Sequence, residues 1–201
     1  MAAAIHFYFD FASPYGYFAS TRIDELAAKY GRDVEWHPIL LGVVFKTTGG
    51  MPLPMIPMKG EYSVRDFERS ARFHGIAYKL PQAFPLPTQS AARAMLWVKD
   101  KYGDERAIEF AKAVFKAYFV DDVNIGDPVH IAKIASGMGL DSSRMAEGIN
   151  SAQVKDQLRA EMDLAMARGV FGSPYVIVDN EGFWGFDRFD QVDAMLKNGK
   201  I

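Results

Sequence analysis

The run Ile5-His6-Phe7-Tyr8-Phe9-Asp10-Phe11 constrains this chain more than any other segment. Its aromatic, β-favouring residues read as a buried strand. The strand breaks at Ala12-Ser13-Pro14-Tyr15-Gly16 and gives way to a helix-like stretch from Tyr17 to Tyr30. Far downstream, Gly172-Ser173-Pro174-Tyr175 opens a second apolar strand, Val176-Ile177-Val178. The chain contains no cysteine, so no chemistry at either turn can rest on a thiol of its own.

The totals exclude several classes of function. A length of 201 residues suits one large domain or two intimately joined ones. Hydrophobic residues at 49% and aromatics at 13% argue for a globular chain and against disorder. A formal net charge of -2 supplies no basic field for nucleic acid. No apolar stretch approaches the roughly 20 residues that span a bilayer, so no membrane partner is expected. Met1-Ala2-Ala3-Ala4 has no basic n-region and runs straight into the strand, which does not read as a secretory signal. With no cysteine either, a reducing cytoplasm is the expected compartment.

Residues 1–45 read as strand, helix, strand, the second strand being Val34 to Leu40. The apolar spacing of Ile23, Leu26 and Ala27 is helical, and Gly31 is the expected stop. Residues 47–60 are rich in Gly and Pro and read as a long loop of functional type. From Tyr62 to about Gly148 the pattern is helical, with apolar faces over Ser90–Tyr102 and Arg106–Phe119. Asp127-Pro128 is a good start for a further helix. Ala152–Arg168 is another helix, stopped by Gly169. The end reads strand, turn at Asn180-Glu181-Gly182, strand, then helix from about Asp187. The order βαβ, helical block, αββα resembles a thioredoxin-type fold split by an insertion. The expected fold class is α/β, a thioredoxin-like domain (1–46 and 150–201) with an inserted all-helical domain and its connecting loop (47–149). An unrelated α/β domain that begins with a βαβ unit fits the pattern too. In redox members of the thioredoxin class the active turn reads Cys-x-x-Cys. Ser13 and Gly16 hold those places here, so on this reading the chain must borrow a thiol.

Each candidate residue has a plain structural reading beside a functional one. Ser13 can simply cap a helix; its hydroxyl and nearby N–H groups can also hold a bound thiolate, because hydrogen bonds to an anion lower its pKa. Ser173-Pro174 can simply open a strand. In a thioredoxin-type fold its proline is cis, and Ser173 offers backbone partners to an extended peptide. Asp187 can cap the last helix, or join Arg188 in an anion-binding turn. Lys59 is a loop lysine with either solvent or a carboxylate as partner. His6, His37, His74 and His130 have no metal-ligand spacing, and no metal site is expected. There is no Gly-x-Gly-x-x-Gly and no P-loop.

Three stretches resemble the 2-hydroxychromene-2-carboxylate isomerases, which belong with the kappa-class glutathione transferases in the wider DsbA-like family. They are Phe7 to Tyr15; Pro57-Met58-Lys59-Gly60-Glu61-Tyr62 with Asp66-Phe67-Glu68-Arg69; and Gly169 to Pro174 with Phe183 to Arg188. The resemblance covers essentially the whole chain, in order. It implies a glutathione-dependent enzyme, usually a homodimer, that interconverts 2-hydroxychromene-2-carboxylate and trans-o-hydroxybenzylidenepyruvate or a related aromatic catabolite. It also implies roles. Ser13 is the catalytic serine, Ser173 before Pro174 binds the cysteinyl backbone of glutathione, Asp187 and Arg188 hold its γ-glutamyl end, and Lys59 faces its glycyl carboxylate. Tyr15, Phe45 and Tyr62 are candidate walls for a flat aromatic substrate. Two positions depart from the family: Gly50 and Pro87 stand where asparagines are common. A kappa-like transferase or peroxidase acting on electrophiles is the alternative activity, and a non-catalytic thioredoxin-fold binding module is the alternative class.

Overall fold

Strand β1 (Ile5–Phe9) lies inside a four-stranded sheet of order β2-β1-β3-β4, in a computed structural model that describes residues 3–201. β2 (Val34–Pro38) runs parallel to β1, with Ile5 opposite Val34 and Phe9 opposite Pro38. β3 (Tyr175–Val178) is antiparallel to β1, and β4 (Glu181–Trp184) completes a hairpin with β3. Pro38 is tolerated because β2 is an edge strand. The hairpin turns at Asp179-Asn180, not at the expected Asn180-Glu181-Gly182. Both turn residues have positive φ, +49° and +73°, as a two-residue turn matched to strand twist requires.

Alternation along β1 separates the two sheet faces. Phe7, Phe9, Trp36, Val176 and Val178 belong to the main core, with α1 (Pro14–Ser20), α6 (Asp104–Phe119) and α10 (Phe189–Asn198). Tyr8 and Ile177 face the other way, beneath Met162 and Ala165 of α9 (Ala152–Ala167) and Val44 of α3 (Leu41–Thr48). The main core continues without a break into the helical block. Phe115 of α6 packs 5.4 Å from the ring of Phe9 and 5.0 Å from that of Phe11.

Several elements differ from the sequence expectation. The helix expected over 17–30 is two, α1 and α2 (Ile23–Ala28). Ser20 and Thr21 donate their hydroxyls to Tyr17 and Phe18 carbonyls at 2.6 and 2.7 Å, local competition of the kind that ends a helix. β2 ends at Pro38, two residues before the expected strand end, and α3 begins at Leu41 and runs into the start of the expected loop. The helical block is interrupted after α4 (Lys59–His74) by an irregular crossing over 76–88, where Pro81, Pro85 and Pro87 prevent helix. Tyr17 and Tyr118 hydroxyls, each 2.7 Å from a carbonyl of Ala77 or Ala83, tie that crossing down. α5 (Gln89–Tyr102), α7 (Pro128–Gly137) and α8 (Ser142–Gly148) complete the block. Asp127 caps α7 from Val129 N at 2.8 Å with Pro128 in the first turn, as expected. α9 stops before Gly169, whose φ of +76° few other residues adopt without strain. Among the described residues no helix is long and apolar enough to cross a membrane.

Phe115 joins sheet and helical block, so Phe115→Ala should lower stability by about 3–5 kcal/mol. Urea denaturation followed by tryptophan fluorescence checks this; a midpoint unchanged from the parent would contradict the shared core.

Candidate active site

β1 delivers Asp10 to the start of α1, and the chain turns at once. The Ser13 N–H donates to the Asp10 carbonyl at 2.9 Å, and Ser13 takes an extended conformation that makes it the N-cap of α1. Its Oγ accepts from the Gly16 N–H at 3.0 Å and donates to the Ser173 carbonyl at 2.9 Å. The Ser173 hydroxyl in turn accepts from the Asp10 N–H at 2.9 Å. The two serines, 160 residues apart in the chain, are thus clasped together and nearly buried. Gly16 permits the approach: a Cβ there would lie 2.7 Å from the Ser173 hydroxyl. The Ser173-Pro174 peptide is cis, as expected.

The Asp10 carboxylate is bonded at the same corner of the fold. It accepts from the Ala12 N–H at 2.8 Å, the Leu41 N–H at 2.7 Å and the Thr88 hydroxyl at 2.9 Å. Burial still raises its pKa above the ordinary carboxylate value, the three donors opposing that rise.

Ser13 and Ser173 open onto a cavity of about 1260 Å³. Tyr15, Phe45, Tyr62, Asp187 and Arg188 also line it, so most of the sequence-derived site residues meet at one place. Gly50 and Pro87 are on the wall as well. Pro174 is buried next to Ser173 and off the wall. Lys59 is exposed at the first position of α4 and is not a wall residue, although Tyr62, one turn further along the same helix, is. Lys46, which the sequence reading passed over, is on the wall. Asp187 does not cap the last helix: it sits in a 3₁₀ turn, paired with Arg188 at 3.3 Å, and Arg188 holds the N-cap position of α10.

The Tyr15 hydroxyl donates to Asp66, which also accepts from Arg69. Burial and then Asp66 push the Tyr15 pKa far up, so it stays a phenol at neutral pH. Burial raises the Asp66 pKa too, but the bonds from Tyr15 and Arg69 outweigh it and leave the carboxyl below its usual range. Arg69 reaches the Tyr62 hydroxyl at 2.9 Å and stands 5.3 Å from the ring centre. Asp10, Thr88 and Asp66 have no role in the sequence reading, although Asp10 and Asp66 stand in stretches that carry the resemblance. A further signal is that Asp10 is an acidic residue closing an otherwise apolar strand.

The chain belongs to the DsbA-like thioredoxin-domain family, whose pattern matches residues 4–197. It is 28% identical over 199 residues to a 2-hydroxychromene-2-carboxylate isomerase of Sphingobium xenophagum, covering 98% of this chain and 99% of that protein. It is 28% identical over 204 residues to glutathione S-transferase kappa 2 of Caenorhabditis elegans, covering 96% and 91%. A solved 2-hydroxychromene-2-carboxylate isomerase shares the fold with a TM-score of 0.87 at 24% identity, over 97% of this chain and 95% of that one.

Thr88→Val removes one donor from a buried carboxylate and should lower stability at pH 7 by about 1–3 kcal/mol. The sign with pH follows from the raised Asp10 pKa. Its favourable contribution is complete below the unfolded-state pKa and is lost as pH rises through the folded one. Losing a donor raises the folded value further, so the deficit of the variant should be larger at pH 7 than at pH 4. Urea midpoints of parent and variant at both pH values measure it; an equal deficit would remove the role given to Thr88.

Proposed function

We propose that this chain is a glutathione-dependent cis–trans isomerase of ring-opened aromatic pyruvates, of the 2-hydroxychromene-2-carboxylate type. The observation that carries the reading is the clasp of Ser13 and Ser173 at the cavity wall of a chain without cysteine. The cavity fits a tripeptide with a carboxylate at each end. Arg188 and Lys46 supply cationic side chains on its wall, and Ser173 supplies backbone polar groups beside Ser13. When bound, glutathione supplies a nucleophilic thiolate that adds reversibly to the conjugated double bond, letting it rotate before the thiol is returned.

The residues of the chain bind, orient and stabilise. Ser173 takes the cysteinyl backbone. Ser13 turns its hydroxyl from the Ser173 carbonyl to the sulfur and stabilises the anion, which at a free thiol pKa near ~8.5 is otherwise the minor form at pH 7. Ser13 has no basic side chain among its hydrogen-bond partners, which supports a donor role over that of an attacking alkoxide. Asp187 and Arg188 receive the γ-glutamyl end. Lys59 receives the glycyl carboxylate, with Lys46 the competing cation. Tyr15, Phe45 and Tyr62 pack against the substrate ring. A homodimer in the cytoplasm belongs to the same reading. The kappa-class relative keeps conjugation to electrophiles as the second reading, since both chemistries use the same thiolate site.

Glutathione should raise the melting temperature and give a calorimetric isotherm; neither would occur if the chain does not bind it. Ser13→Ala should raise the pKa of bound glutathione by about one to two pH units, the worth of one hydrogen bond to an anion. Titration of the ultraviolet thiolate band reads this, and an unchanged pKa would refute the donor role. Comparing Lys59→Ala with Lys46→Ala in calorimetry identifies the carboxylate partner by the larger loss of affinity.

Isomerisation returns the thiol and conjugation consumes it. With glutathione held far below a chromene carboxylate substrate, many turnovers at constant free thiol are expected. Thiol loss equal to substrate loss, mole for mole, would favour the transferase.

A further inference from the structure

The parallel pairing of β1 and β2 sets His6 opposite Glu35, with His37 two residues along on the same face. Three donor atoms converge there. His6 Nδ1 is 3.1 Å from His37 Nε2 and 3.2 Å from Glu35 Oε2, and His37 Nε2 is 3.6 Å from that same oxygen. A tetrahedral zinc ion bonded at about 2.0–2.1 Å holds neighbouring donors about 3.3 Å apart, so the three atoms already outline one face of such a site.

The surroundings are those of a metal-binding imidazole. His37 is buried, its ring stacked 4.6 Å from that of Tyr8. Its other nitrogen, Nδ1, lies 2.9 Å from the Glu161 carboxylate of α9. A proton on Nδ1 donated to Glu161 directs the Nε2 lone pair at the convergence point and fixes the ring, the carboxylate–histidine arrangement common behind bound zinc. Two carboxylates, Glu35 and Glu161, offset the nearby Arg168, whose guanidinium reaches the Tyr8 hydroxyl at 2.8 Å. The Glu35 side chain is half-exposed, leaving solvent access to the fourth position. None of His6, Glu35 and His37 lines the cavity of Ser13.

We propose that His6, Glu35 and His37 form a second site, which binds one zinc-class divalent transition metal with water as the fourth ligand and staples edge strand β2 to β1. The donors sit on two strands whose register only the fold sets, so their spacing along the chain carries no ligand pattern. The site is separate from the proposed glutathione chemistry and does not depend on it.

The test uses the full chain without a histidine tag, stripped with a chelator and then titrated with zinc in a calorimeter. One zinc per chain and a higher melting temperature with zinc are expected. Cobalt in place of zinc should give the intense visible bands of a tetrahedral site. His6→Gln, at a partly exposed strand position, should abolish both signals, and Glu161→Gln should weaken binding about 10–100-fold by freeing the His37 ring. His130→Gln, remote from the cluster, should bind as the parent does. His6→Gln is first shown to be folded by circular dichroism. If that variant binds zinc as tightly as the parent, or if the parent takes up no zinc at stoichiometric concentrations, the proposal is overturned. The cluster is then only a hydrogen-bonded clasp between strands.

Discussion

A carboxylate removed from water is stable only if its oxygens find donors. Asp10 finds three, and each belongs to the start of a different helix. Ala12 N–H leads into α1, Leu41 N–H opens α3, and Thr88 occupies the N-cap position of α5. Thr88 makes no capping bond to its own helix; its hydroxyl goes to Asp10 instead. One side chain thereby fixes where three helices begin around the end of β1. The N–H of the same residue holds the Ser173 hydroxyl, so the two serines of the candidate active site inherit their positions from it. Two hydroxyls held at hydrogen-bond distance need rigidity of this kind, because misplacement by about an ångström loses much of the benefit of orientation.

The legible parts of the chain were those whose signals are local. β1 announced itself by aromatic content, α7 by Asp127-Pro128, and α9 by its stop at Gly169. Ser13 and Ser173 were legible because each stands in a short motif that carries its own turn. α3 was not, since its capping partner is the Asp10 side chain, 31 residues earlier. The break between α1 and α2 turned on two hydroxyls choosing backbone carbonyls. Thr88 reaches Asp10 across 78 residues, and His37 reaches Glu161 across 124. Such contacts leave no spacing to read. Lys46 escaped notice because its place on the wall depends on α3 being a helix at all.

The cavity wall carries Ser13, Ser173, Asp187 and Arg188 as well as Phe45, Phe84, Leu86 and Pro87, and Gly50 is among its residues. At Gly50 a Cβ would come within 2.8 Å of the Phe45 ring, so the bare backbone at 50 and the place of that ring are one packing choice. With no side chain at 50, Phe45 can lie over the position and bring an aromatic ring to the wall. Pro87 adds another side chain without a hydrogen-bonding group to a stretch that already carries Phe84, Pro85 and Leu86 on the wall. Neither Gly50 nor Pro87 takes part in the hydrogen bonds of the Ser13–Ser173 clasp, which Asp10 and Gly16 hold. The clasp and this stretch of wall thus rest on different residues, so one can vary without the other. An apolar stretch of wall discriminates by shape and apolar area, which separates ligands only by modest factors.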